Sequence, residues 1–303
     1  MEPVERTVEI SGARVHYWTY RADAIPEQRG APTVVMLHGL RGTHQGMELI
    51  AEQLLERHRV SSVVAPDLPG FGESGPMRAG GPEQGGARQH RHDVAGYGQV
   101  VAHLISRLPG AGAVVLLGHS FGSVIAAHVA ARCPELVRRL VLINPIATLA
   151  LRGPHVLLSS LVSPYYALGN VLPERTGRAL LSNKWIVLGV SRAMTRTKDP
   201  QLRRFIHESH LRYFSRFHSP ALLREAHEAS VTCTVADYAG SLLVPTLLVA
   251  GEDDSIAPLQ GQRALARRIV DGRLVVIPDV GHLVHYEAPG VAAREIDQFL
   301  AAS

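Results

Sequence analysis

The sequence predicts an α/β protein: a mostly parallel sheet flanked by helices, with a helical block inserted late in the chain. Three observations predict it. Short apolar runs alternate with helix-period segments through the first half. That alternation stops between Ala147 and about Ala239, where helical segments follow one another without a β-run. It then resumes to the end of the chain. With 303 residues, 46% of them apolar, a large core is available, and the length suits two domains or one domain with a large insertion. The expected division is a core of residues 1–146 and 240–303 and a helical insertion at 147–239, packed over one end of the sheet.

Taken in order, Val4–Ile10 and Arg14–Tyr20 read as a pair of edge strands. Thr33–Leu37 is the kind of continuous apolar run that a parallel sheet buries on both faces. A helix is expected over Met47–Arg57 and a strand over Ser62–Pro66. Pro76 to Asp93 is rich in Gly, Gln, Arg and His and nearly free of large apolar residues, which predicts a mobile surface insertion. On that reading His90, His92 and Asp93 are solvated rather than metal-ligating. Val94–Leu108 has helical periodicity and stops at Pro109-Gly110. Ala113–Leu117 is a strand, Phe121–Arg132 a helix and Leu140–Ile143 a strand. The inserted block contributes helices at Val156–Leu168, Glu174–Leu188, Asp199–Arg216 and Pro220–Ser230. Strand Thr246–Ala250, helix Leu259–Ile269, strand Arg273–Ile277 and helix Pro289–Ala301 complete the chain.

Composition narrows the function. The formal charge is +4, carried mainly by arginine, since Lys184 and Lys198 are the only lysines. The arginines are spread along helical stretches rather than gathered in a tail, which argues against nucleic-acid binding. Cys133 and Cys233 belong to no CxxC pattern, so neither a zinc site nor a disulfide framework is expected, and both read as small buried residues. Met1–Ile10 is charged and lacks the apolar stretch of a leader peptide. The weakly polar stretch Gly153–Pro173 contains His155 and is broken by Pro164, which argues against a membrane span. A cytoplasmic protein acting on a small molecule, without metal or cofactor, is the expectation.

The strongest chemical signal is Gly118-His119-Ser120-Phe121-Gly122, between a predicted strand and a predicted helix. A serine hydroxyl is a poor nucleophile unless it is exposed and held against a base. A sharp strand-to-helix turn exposes it, and the helix that follows aims its first amides at developing negative charge. Three further segments fall in order around it. Leu37-His38-Gly39-Leu40 follows the third strand, and Asp67-Leu68-Pro69-Gly70-Phe71-Gly72-Glu73-Ser74 follows the fourth. Gly251-Glu252-Asp253-Asp254 with Pro258, and later Gly281-His282, follow the last two strands.

Together these segments resemble the α/β-hydrolase superfamily over nearly the whole chain. The resemblance implies an α/β-hydrolase fold with a helical cap and a nucleophile, acid and base in that chain order. Carried over by position, it makes Ser120 the nucleophile, His282 the base and Asp254 the acid, with Asp253 and His285 as their neighbouring rivals. The oxyanion donors would be the backbone N–H groups of Leu40 and Phe121; His38 and His119 would be packing or hydrogen-bonding supports.

Serine at the turn separates this chain from the dehalogenases and epoxide hydrolases of the fold, which use aspartate there. The implied reaction is hydrolysis of an ester, thioester or lactone, with no cofactor. Carbon–carbon hydrolases share this arrangement but often carry tryptophan after the histidine, where this chain has Leu283. A ligand-binding protein that keeps the scaffold and turns over little is the reading from outside enzymology. The inserted block would select the substrate. Its Leu, Val and Tyr side chains suggest an apolar pocket, to which Trp185, Phe205, Tyr213, Phe214 and Phe217 could contribute, while Arg192, Arg203 and Arg204 read as a solvated helix face.

Overall fold

The computed structural model describes residues 2–21, 31–78, 91–108, 112–149 and 156–302. Among them, eight strands form one sheet in the order β1-β2-β4-β3-β5-β6-β7-β8. Strands β1 (Val4–Ile10) and β2 (Ala13–Arg21) pair antiparallel, and β2 also runs antiparallel to β4 (Ser62–Pro66). From β4 onward every pairing is parallel, through β3 (Thr33–Leu37), β5 (Val114–His119), β6 (Val137–Ile143), β7 (Thr246–Gly251) and β8 (Gly272–Ile277).

Helices α1 (Glu48–Leu55) and α11 (Pro289–Ala301) cover one face; α2 (Val94–Arg107), α3 (Phe121–Arg132) and α9 (Leu259–Ala266) cover the other. This double cover is why β5 and β7 read as unbroken apolar runs. Their side chains alternate between the two faces, and both faces are core: Leu116 of β5 joins one cluster, Val115 and Leu117 the other.

Among the described residues, five α-helices run between β6 and β7: α4 (Val156–Val171), α5 (Glu174–Leu181), α6 (Lys184–Met194), α7 (Pro200–Tyr213) and α8 (Pro220–Thr232). The sequence reads Glu174–Leu188 as one helix; the structure divides it at Ser182-Asn183. The Asn183 side chain accepts from the Trp185 and Ile186 amides at 2.9 and 3.3 Å and so starts a new helix. One buried arginine ties this block to the sheet. Arg41, just past β3, donates to the carbonyls of Leu181 and Phe214 at 2.7 and 2.9 Å and lies 5.7 Å from the Phe217 ring centre. It closes the C-terminal ends of two helices, whose last carbonyls have no partner within the helix.

Two further expectations need correction. His92 is buried, with its Nε2 accepting the Met77 amide at 3.1 Å, and Asp93 accepts the Gly96 amide at 2.9 Å to cap α2. Both anchor the end of the expected surface insertion; His90 lies outside the described residues. Cys133 and Cys233 are free but partly exposed rather than buried. Among the described residues no helix is long and apolar enough to cross a membrane.

Candidate active site

The C-terminal ends of β3, β5, β6, β7 and the loop after β8 meet at one place, the usual location for ligands in an open parallel sheet. Ser120 sits there between β5 and α3 with φ 53° and ψ −120°, a conformation that L-residues avoid. Gly118 and Gly122 make the turn possible. A Cβ on Gly118 would stand 2.3 Å from the Gly122 carbonyl oxygen, and one on Gly122 would stand 2.5 Å from that of Leu37. The second contact also shows how closely the start of α3 abuts the loop that carries Leu40. Phe121 is the first residue of α3, so its amide has no carbonyl partner inside the helix.

Three of the residues singled out in the sequence form one hydrogen-bonded run. Ser120 Oγ lies 2.9 Å from His282 Nε2, and His282 Nδ1 lies 2.8 Å from Asp254 Oδ2. Asp254 is held by its other oxygen, which accepts the amides of Ile256 and Ala257 at 2.8 and 2.9 Å. An ionised carboxylate on the Nδ1 side keeps the proton there and leaves Nε2 free to accept from the serine. Asp253 is exposed. His285 faces His119 instead, with ring centres 4.0 Å apart.

Support comes from other buried histidines. His38 Nε2 accepts the Leu68 amide at 2.9 Å, which puts its proton on Nδ1, where it donates to the Gly39 carbonyl at 2.8 Å. His119 Nε2 donates to the carbonyl of His282 at 3.0 Å. Burial, then the neighbouring His282, pushes the His119 pKa down to about 3, and burial likewise holds His285 well below the usual imidazole value. Both rings are therefore neutral supports. In the turn after β4, Asp67 accepts the His44 amide and ring Nδ1 at 2.7 and 2.9 Å and the Glu73 amide at 2.9 Å. Burial works to raise the Asp67 carboxyl, but the hydrogen bonds it accepts from His44 and from the Glu73 amide outweigh burial and hold it below the usual value. The Asp-to-Ser segment of the sequence thus closes a turn beside the site.

Two residues that sequence reasoning passed over join the loops together. Asn144, at φ 45° just after β6, accepts the Gly251 amide at 3.0 Å and donates to the Gly281 carbonyl at 2.9 Å. It links the loop carrying Asp254 to the loop carrying His282. The Asn-Pro pair at 144–145 is a turn signal that could have drawn attention to it. Glu287 accepts the amides of Arg196 and Thr197 at 2.6 and 2.7 Å and that of Gly281 at 3.2 Å, which fastens the α6–α7 connection to the His282 loop. Nothing in the local sequence marks Glu287.

Asn144→Ala should cost about 2–4 kcal/mol, since it leaves a buried donor and a buried acceptor unpaired. Thermal unfolding should register this as a fall in Tm of roughly 3–6 °C. An unchanged Tm would mean that the two loops hold their positions without it.

Comparisons with known proteins point the same way. The family described as "alpha/beta hydrolase fold" matches residues 32–289. A putative esterase/lipase of Haemophilus influenzae is 23% identical over 93% of this chain and 87% of its own length. A pimeloyl-[acyl-carrier protein] methyl ester esterase of Neisseria meningitidis serogroup B is 27% identical over 86% of this chain and 91% of its own. Among solved structures, an esterase from Exiguobacterium antarcticum superposes with a TM-score of 0.75 at 18% identity, covering 99% of this chain and all of that one.

Proposed function

This chain belongs to the α/β-hydrolase fold family, and from that premise we propose that it is a serine hydrolase cleaving a carboxylic ester or related acyl bond of a small, apolar substrate. The observation that carries the reading is the unbroken run from Ser120 Oγ through His282 to Asp254, at 2.9 and 2.8 Å.

In the proposed reaction the Ser120 oxygen attacks the acyl carbon while His282 Nε2 takes the serine proton. The carbonyl oxygen becomes an oxyanion between the Phe121 and Leu40 amides; one such donor is typically worth about 10²–10³ in kcat. The carbon–oxygen bond to the leaving group then breaks, and the proton on His282 passes to the departing alcohol. An acyl-Ser120 ester remains. A water molecule, deprotonated by His282, attacks that ester, and the returning proton restores the serine. Asp254 keeps its charge throughout and steadies the imidazolium.

The inserted helices serve, on this reading, as a cap that shapes the acyl or alkyl pocket. Partly buried Leu40, Ile146 and Tyr165, the last on α4, pack against one apolar cluster that joins the inserted helices to the sheet, which supports an apolar group there. The relatives named as esterases support the same reaction class.

The test is labelling with a fluorophosphonate, with the modified peptide identified by mass spectrometry, beside a panel of short and medium p-nitrophenyl esters. Modification at Ser120 with multiple turnover is expected. Absence of both labelling and turnover would overturn the proposal, and ligand retention without product release would turn it into the binding-protein reading.

A further inference from the structure

One stretch of the chain concentrates basic residues. Between Lys184 and Arg204 six basic side chains, Lys184, Arg192, Arg196, Lys198, Arg203 and Arg204, face a single acidic one, Asp199. That segment alone carries +5, against +4 for the whole protein, and it contains both lysines. All six are exposed, although Arg196 lays its side chain along Gly281 of the His282 loop and the other five carry the outward charge. Among the described residues none of them forms an ion pair.

The same surface exposes apolar side chains. Trp185 is 69% exposed and Phe205 46%, with Ile186 and Val190 also in solvent. Trp185, Ile186 and Val190 lie away from the face that holds the hairpin to the protein, while Phe205 borders it, its ring centre 6.0 Å from that of Tyr286. Val187, Ser191 and Met194 of α6 and Ile206, Ser209 and His210 of α7 are the hairpin's buried side chains. Met194 and Ile206 pack on Leu283 and Tyr286, next to His282. The α6–α7 pair thus rests its inner face on the His282 loop and turns outward a surface that is both cationic and apolar.

We propose that the outer face of α6 and α7 docks on an anionic phospholipid bilayer. Cationic side chains interleaved with Trp, Ile and Val suit the interfacial region, where the charges meet headgroup phosphates and the apolar side chains enter the acyl boundary. A nucleic acid would engage the charges and leave Trp185, Ile186 and Val190 in water, so the lipid surface uses more of what is exposed. A bilayer seated there lies one helix layer from the His282 loop. The proposal concerns binding and does not depend on the reaction assigned to Ser120.

The experiment is co-sedimentation of the full chain with vesicles of phosphatidylcholine alone and of equal parts phosphatidylcholine and phosphatidylglycerol. Binding should be at least about tenfold stronger to the mixed vesicles and should weaken as salt is raised. Tryptophan emission gives a second readout. Trp18 is buried and stacked on His44, so Trp185 is the tryptophan whose environment docking would change. Its emission should move to shorter wavelength with mixed vesicles, and the shift should vanish in Trp185→Phe. Arg203→Glu with Arg204→Glu should lower binding about tenfold, while turnover of a soluble ester stays unchanged.

Equal binding to both vesicle types, or no emission shift, overturns the proposal. So does retention on heparin or duplex DNA without vesicle binding, which would assign the surface to a polyanion. If the double variant fails to fold, the salt series and the Trp185 shift of the unaltered chain still decide. Ser120→Ala should bind vesicles as the unaltered chain does, which separates this result from the fate of the catalytic reading.

Discussion

Ser120→Ala is expected to lower kcat on an ester substrate by about 10⁴- to 10⁶-fold, with KM little changed. In the proposed reaction the substitution removes the attacking oxygen and leaves the amides of Phe121 and Leu40 in place, so substrate should still bind and a small rate over water should survive. Asp254→Asn should cost about 10⁴-fold for a different reason. Both carboxylate oxygens are in use, one on the Ile256 and Ala257 amides and the other on His282 Nδ1. An asparagine that keeps its carbonyl on those two amides turns its NH₂ toward His282. The ring proton then moves to Nε2, which can no longer accept from Ser120. Asp253→Asn, on an exposed side chain, should stay within about twofold of the unaltered enzyme. Steady-state kinetics of the three variants on one p-nitrophenyl ester provide the check. An Asp253→Asn loss matching that of Asp254→Asn, or a Ser120→Ala protein with near-normal turnover, would dismantle the assignment.

Acid should unfold this protein well before it protonates most carboxylates. Burial pushes His119 and His210 down to about 3, aided by His282 in the first case and His207 in the second, and burial alone pushes His227 down to about 4. Each folded-state value lies below the unfolded value of 6.5. Below pH 6.5 the unfolded chain therefore binds protons that the native protein refuses, and stability falls as pH falls. The slope builds toward about 1.4 kcal/mol per pH unit for each ring as the unfolded imidazole fills, so the step from pH 6.5 to 5 removes between about 1 and 2 kcal/mol apiece. The three together reach about 5 kcal/mol, the lower end of a folded protein's margin. The depressed Asp67 carboxyl adds to the loss at still lower pH, where it too must protonate.

Thermal melts followed by circular dichroism should show Tm falling by roughly 5–10 °C between pH 6.5 and 5. His227→Gln should flatten that slope by about a third, because its ring stands apart from the His119 group, stacked on Tyr166 at 4.3 Å. A Tm that holds constant across this range would contradict the neutral state assigned to these rings.

Much of the architecture was legible in the residues because its causes are local. Thr33–Leu37 and Ser62–Pro66 are strands in the structure at the bounds their apolar runs suggest, and Phe121–Arg132 is a helix at the bounds its pattern suggests. A chain of this hydrophobic alternation buries both faces of a parallel sheet or leaves apolar surface in water. The turn around Ser120 is equally local: two glycines and a strained serine within five residues. Where the inference failed, the deciding partner was distant or single. One side chain, Asn183, divides a helix that periodicity joins. His92, which composition reads as solvated, is buried by contact with Met77 and Tyr97.

By itself, then, the sequence determined the alternating sheet, the exposed serine turn and the order of nucleophile, acid and base candidates, since each rests on neighbouring residues or on motifs a few positions long. Only the tertiary structure decided which groups meet. Ser120 and His282 stand 162 residues apart along the chain, and Arg41 reaches carbonyls 140 and 173 residues away. Asn144 spans two loops that no local pattern connects. A side chain's own neighbours set its backbone, but its partners are chosen by how the helices and strands pack.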